Sequence, residues 1–163
     1  IDRQIDHDLV QEAFAEFTSP GRLQILKRNP TIVIDAAHNP AGIRATKQGI
    51  NESFQFDNLI LILAFMGDKD IDQILEELKG FAQIVILTQT KSARALSMQD
   101  LEKKVSNISQ FANRVEVSDN SEEAIKLATK LAIEVGNSAG IIALGSVVLA
   151  GEIGSLLKGG KNN

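Results

Sequence analysis

Apolar positions recur along this chain in two rhythms, and the rhythms alternate. Leu9, Val10, Ala13, Phe14 and Phe17 fall at helical spacing, which predicts a first helix over about residues 7–17. Ser19-Pro20-Gly21 breaks it. Leu23-Gln24-Ile25-Leu26 then alternates as a half-exposed strand does, and Asn29-Pro30 turns into the apolar run Thr31-Ile32-Val33-Ile34. Four further runs read as buried strands: Leu59 to Phe65, Ile84 to Leu87, Val115 to Val117 and Gly140 to Leu144. Between and after them, helical spacing covers about 40–52, 71–79, 98–106, 121–135 and 147–158. Asn39 before Pro40 is a favourable cap pair, and Asp70 with Gln73 and Ser97 with Asp100 have capping-box spacing. The tail Gly159-Gly160-Lys161-Asn162-Asn163 is expected to fray. Strand–helix alternation with continuous apolar strands predicts a three-layer, Rossmann-like α/β domain whose mainly parallel sheet is covered on both faces.

Composition narrows the partners more than the fold. The 163 residues suit a single domain spanning 1–163. Seven Phe with no Trp or Tyr leave few platforms for stacking bases, and a net charge of -4 opposes a phosphate backbone, so no nucleic-acid partner is expected. No apolar stretch approaches the roughly 20 residues needed to span a bilayer, so no membrane partner is expected either. Zero cysteines exclude disulfides and thiolate chemistry and fit a cytoplasmic setting. With two His and no Cys, no metal site is expected within the chain. The opening Ile1, on a polar and acidic run, reads as a piece cut from a longer protein.

In open parallel sheets ligands bind beyond the carboxyl ends of the strands. That rule selects Asp35 to Pro40, Met66 to Asp70, Thr88 to Arg94 and Gly145-Ser146. In the first, Asp35 closes an apolar strand, His38 stands at the turn, and Asn39-Pro40 opens a helix whose amides favour an anion. The plainer alternative is that Asp35 caps the turn and His38 packs there. Met66-Gly67-Asp68-Lys69-Asp70 reads as a loop facing phosphates or a metal, or as a charged helix start, and Lys91-Ser92-Ala93-Arg94 as an anion-facing loop or as solvated surface. Ser146 after Gly145 is a ligand hydroxyl or a helix cap. Arg22 follows the Ser19-Pro20-Gly21 turn and presents a cation at a strand entrance. Neither G-x-G-x-x-G nor G-x-x-x-x-G-K-[ST] occurs.

Pro20-Gly21-Arg22 followed by Asp35-x-Ala37-His38-Asn39-Pro40 resembles the C-terminal domain of the folylpolyglutamate synthase/dihydrofolate synthase family, a branch of the Mur ligase superfamily. Met66-Gly67, Arg94-Ala95, Gly145-Ser146 and Gly151-Glu152 agree in order. The resemblance implies an ATP-dependent ligase that adds L-glutamate to folate, and to dihydropteroate in bifunctional members, through an acyl phosphate. It implies that Arg22 and Asp35 contact the nucleotide and that His38 and Ser146 lie near the incoming glutamate. It assigns no certain catalytic residue to this chain. ATP and Mg2+ are the implied cofactors, with the phosphate loop and metal ligands on an N-terminal ATPase domain that is absent here. The fragment alone is therefore expected to be inactive. One departure is Ser19 where many relatives carry Trp. Competing readings are the C-terminal domain of a peptide-adding Mur ligase and a stand-alone module that binds a small anion.

Overall fold

The structure, a computed structural model, describes residues 22–67, 70–136 and 138–161. The helix expected over 7–17 and the pair Asp68-Lys69 lie outside the described residues. Six strands form one sheet: β1 (Gln24–Lys27), β2 (Thr31–Ile34), β3 (Asn58–Leu63), β4 (Ile84–Leu87), β5 (Arg114–Val117) and β6 (Ala139–Leu144). Their order is β1-β2-β6-β3-β4-β5, with β1 antiparallel to β2 and every other pairing parallel. Five helices follow in chain order: α1 (Pro40–Ser53), α2 (Ile71–Leu78), α3 (Met98–Ser106), α4 (Ser121–Val135) and α5 (Val147–Lys161).

The three-layer expectation holds, because the central strands are apolar on both faces and both faces are covered. Ile43 and Ile50 of α1, Ile74 and Leu78 of α2, and Leu101 of α3 pack on one face with Leu61, Leu63 and Val85. Ala124, Ala128 and Leu131 of α4, with Leu149 and Ile153 of α5, cover the other face with Ile60, Ile62 and Ile141. Fully burying one such aliphatic side chain stabilises by about 1.5–3 kcal/mol.

Four details differ from the sequence expectation. The third strand ends at Leu63, two residues before Phe65. The strand around Val115–Val117 is an edge strand rather than a buried one, and both valines remain 39% exposed because no strand pairs beyond β5 among the described residues. Asp70 stands at the cap position of α2 but makes no side-chain cap bond, since its φ of -79° and ψ of 74° depart from the extended backbone that a capping residue adopts. Helix α5 runs on to Lys161, through most of the tail expected to fray, by continuing a helix already seated on the sheet through Leu149 and Ile153. The other two caps behave as expected: Asn39 accepts from Gly42 N at 2.8 Å and Ser97 from Asp100 N at 3.1 Å.

Candidate functional site

Sheet order converts four separate sequence segments into one edge. The strands β2, β6, β3 and β4 are consecutive neighbours, so the loops that follow them stand side by side. Gly145 N donates to Ala37 O at 3.2 Å, which joins the loop after β6 to the loop after β2. Gly67 N donates to Arg94 O at 2.8 Å and Met66 bridges to Ala95, which joins the loops after β3 and β4.

Asp35 directly follows β2 and is only 3% exposed. One carboxylate oxygen accepts from Ala37 N at 2.8 Å and the other from Leu23 N at 3.1 Å. Burial pushes its carboxyl above the usual carboxylate value; hydrogen bonds from Ala37, Thr46 and Leu23 oppose that push, and so does the nearby charge of Arg22. Asp35 therefore fixes the backbone directly after Arg22, where Leu23 has a positive φ of 50°. Arg22 itself is exposed.

His38 is half-buried, and its Nδ1 lies 2.9 Å from the Ala36 carbonyl. A carbonyl only accepts, so in the neutral ring the proton sits on Nδ1 and Nε2 is the acceptor nitrogen. Ser146 is 1% exposed, and its Oγ accepts from Leu149 N at 2.9 Å, capping α5. Gly145 before it has φ 117°, and a Cβ there would lie 2.5 Å from Ala64 O, so only glycine admits this approach of β6 to the end of β3. The structure thus brings Arg22 to Asp35, and it joins the loop that carries His38 to the one that carries Ser146.

Among the described residues, no group of three or more His, Asp or Glu side chains could hold a metal ion, and no helix is long and apolar enough to cross a membrane. A shallow groove between α1 and α2, lined by Pro40, Arg44, Asp72, Gln73, Glu76 and Glu77, is acidic, and its Arg44 is already paired with Glu77 at 2.7 Å. Two contributors escaped sequence reasoning. Thr46, nearly two turns into α1, is one of the groups that favour the charged form of Asp35. Glu152 reaches the loop after β4. The only sequence trace of Glu152 was the Gly151-Glu152 pair itself.

Comparison with known proteins agrees with this fold. Residues 21–147 match the family described as Mur ligase, glutamate ligase domain. The dihydrofolate synthase/folylpolyglutamate synthase of Mycobacterium tuberculosis is 39% identical over 160 residues, covering 91% of this chain and 32% of its own. The crystal structure of folylpolyglutamate synthase from the same organism, complexed with ADP and AMPPCP, superposes with a TM-score of 0.78 at 39% identity. That match covers 93% of this chain and 35% of the other. The Yersinia pestis bifunctional folylpolyglutamate synthase/dihydrofolate synthase, complexed with AMPPNP and a Mn ion, shares the fold. It is 21% identical, with a TM-score of 0.72, over 85% of this chain and 31% of its own. The chain thus spans about a third of the length of the relatives it matches.

Proposed function

The chain belongs to the Mur ligase family through its glutamate ligase domain, and from that premise we propose that it is the C-terminal domain of an ATP-dependent ligase that adds L-glutamate to folate or dihydropteroate. The observation that carries the reading is the joined strand-end edge, where the Gly145 N to Ala37 O bond sets the Asp35–His38 loop beside Ser146.

In this reading Arg22 supplies a cation to the nucleotide. Asp35 holds the Arg22 stretch in place and stands beside it at the strand end, where a nucleotide hydroxyl would be its partner. Among the described residues no cluster fits a metal, and the chain spans about a third of its relatives' length; in this reading the phosphate loop and the ligands for Mg2+ lie on an N-terminal ATPase domain outside this chain. ATP supplies the phosphoryl group that activates the acceptor's carboxylate. The start of α5, with the Ser146 hydroxyl, favours a carboxylate of the incoming glutamate. His38, held by its Nδ1 bond to Ala36, stands in the loop joined to Ser146 and in this reading lies near the incoming glutamate. Closure of the two domains would keep water from the activated carboxylate. Neither domain suffices alone, so this chain by itself turns over no substrate. The setting proposed is the cytoplasm.

The test uses the full-length protein with ATP, L-glutamate and a choice of acceptor, with the amide product identified by mass. Product with a folate or dihydropteroate acceptor, and none with a UDP-muramyl acceptor, is expected. Product with the UDP-muramyl acceptor alone would make it a peptide-adding ligase instead.

A further inference from the structure

The loop that follows β4 is held from several directions. Leu96 N donates to Phe65 O at 2.9 Å and Gly67 N to Arg94 O at 2.8 Å, which fixes its later half to the end of β3. The Gln89 side chain accepts from Met98 N at 2.8 Å, which fixes its start to α3. Its middle is secured differently. Lys91 N donates to one carboxylate oxygen of Glu152 at 2.9 Å, and the buried Ser121 hydroxyl at the start of α4 donates to the other. One side chain of α5 therefore joins α4 and the loop.

Glu152 lies six residues along the chain from Ser146, a distance of roughly 9 Å by helical rise. The helix that begins at Ser146 thus carries the anchor of the loop. Lys91 and Arg94 on that loop are exposed, and neither forms an ion pair among the described residues. Strand spacing decides which half of the site the loop serves. β4 is two strands from β6, about 10 Å, but four from β1, about 19 Å, so the loop belongs with Ser146 and not with Arg22.

We infer that Glu152 is a positioning residue for the amino-acid half of the site: it holds the Lys91–Arg94 loop, with its two cations, at a fixed distance from Ser146. The inference rests on the glutamate-ligase reading. Tying α4 to α5 alone would need only the Ser121 bond; the Lys91 bond extends the tie to the strand-end edge.

The experiment compares full-length enzyme with its Glu152→Ala and Glu152→Gln variants, varying glutamate and ATP in separate series. Misplacing a substrate-positioning loop raises the glutamate KM ~10-fold in Glu152→Ala and leaves the ATP KM within ~2-fold. Gln can accept from Lys91 N through its carbonyl and donate to Ser121 Oγ, so Glu152→Gln restores the glutamate KM. An unchanged glutamate KM in the Ala variant, an equal rise in both constants, or no rescue by Gln would each overturn the inference. Should the Ala variant not fold, Ser121→Ala takes its place: a ~2- to 3-fold rise in glutamate KM alone supports the inference, and none overturns it. A parent enzyme inert toward glutamate overturns the ligase reading and this inference together, whereas an active parent with an unaffected Ala variant overturns this inference alone.

Discussion

Asp35 accepts N–H groups from two stretches of chain, Leu23 ahead of β1 and Ala37 ahead of α1, and does so while buried. Its carboxyl is pushed above the unfolded value of 3.8, chiefly by desolvation. The folded state therefore binds its proton more tightly than the unfolded chain does. The associated stability is fully present below that unfolded value and is lost as pH rises through the raised folded one. Urea unfolding across an acidic pH series should show wild type losing stability, relative to Asp35→Asn, as pH rises through that window. A difference independent of pH would contradict it. Ser146→Ala should cost about 1 kcal/mol by removing the α5 cap, and in the full-length enzyme it should raise the glutamate KM. These residues were legible in the sequence because each sits in a local motif at a strand end. What each bond holds was not, since Asp35 meets Leu23 only after β1 folds back on β2.

Elements were legible wherever one rhythm ran long enough to exclude the other. The apolar runs of β2, β4 and β6 and the spacing of α1 to α5 needed no tertiary information. Edge position did, because Val115 and Val117 look the same in sequence whether or not another strand pairs beyond them. Caps were read correctly at Asn39 and Ser97, where the backbone is extended, and wrongly at Asp70, where it is not. Asn39→Ala should accordingly destabilise by about 1 kcal/mol, measured by urea unfolding. Gly145→Ala should cost more. Its positive φ alone is worth about 1–3 kcal/mol, and the added Cβ also meets Ala64 O, so the sheet edge at β3 and β6 must shift. A Gly145→Ala chain with an unchanged unfolding midpoint would contradict the close approach described here.

Across the whole molecule, the strand order does what no motif could. It lays Arg22, Asp35, Ser146 and the Lys91–Arg94 loop in that order along one edge, so that in the proposed reading nucleotide and glutamate contacts share one sheet. The chain contains neither a phosphate-loop motif nor, among its described residues, a metal-binding cluster, and in the proposed reading those parts lie on another domain. Whether Arg22 serves the nucleotide and not the glutamate is decided by the kinetics of full-length enzyme carrying Arg22→Ala. Loss of one charge-assisted contact worth about 1.5–3 kcal/mol should raise the nucleotide KM by roughly 10- to 100-fold. The glutamate KM should stay near its parent value. A normal nucleotide KM, or a rise confined to glutamate, would contradict this assignment of Arg22.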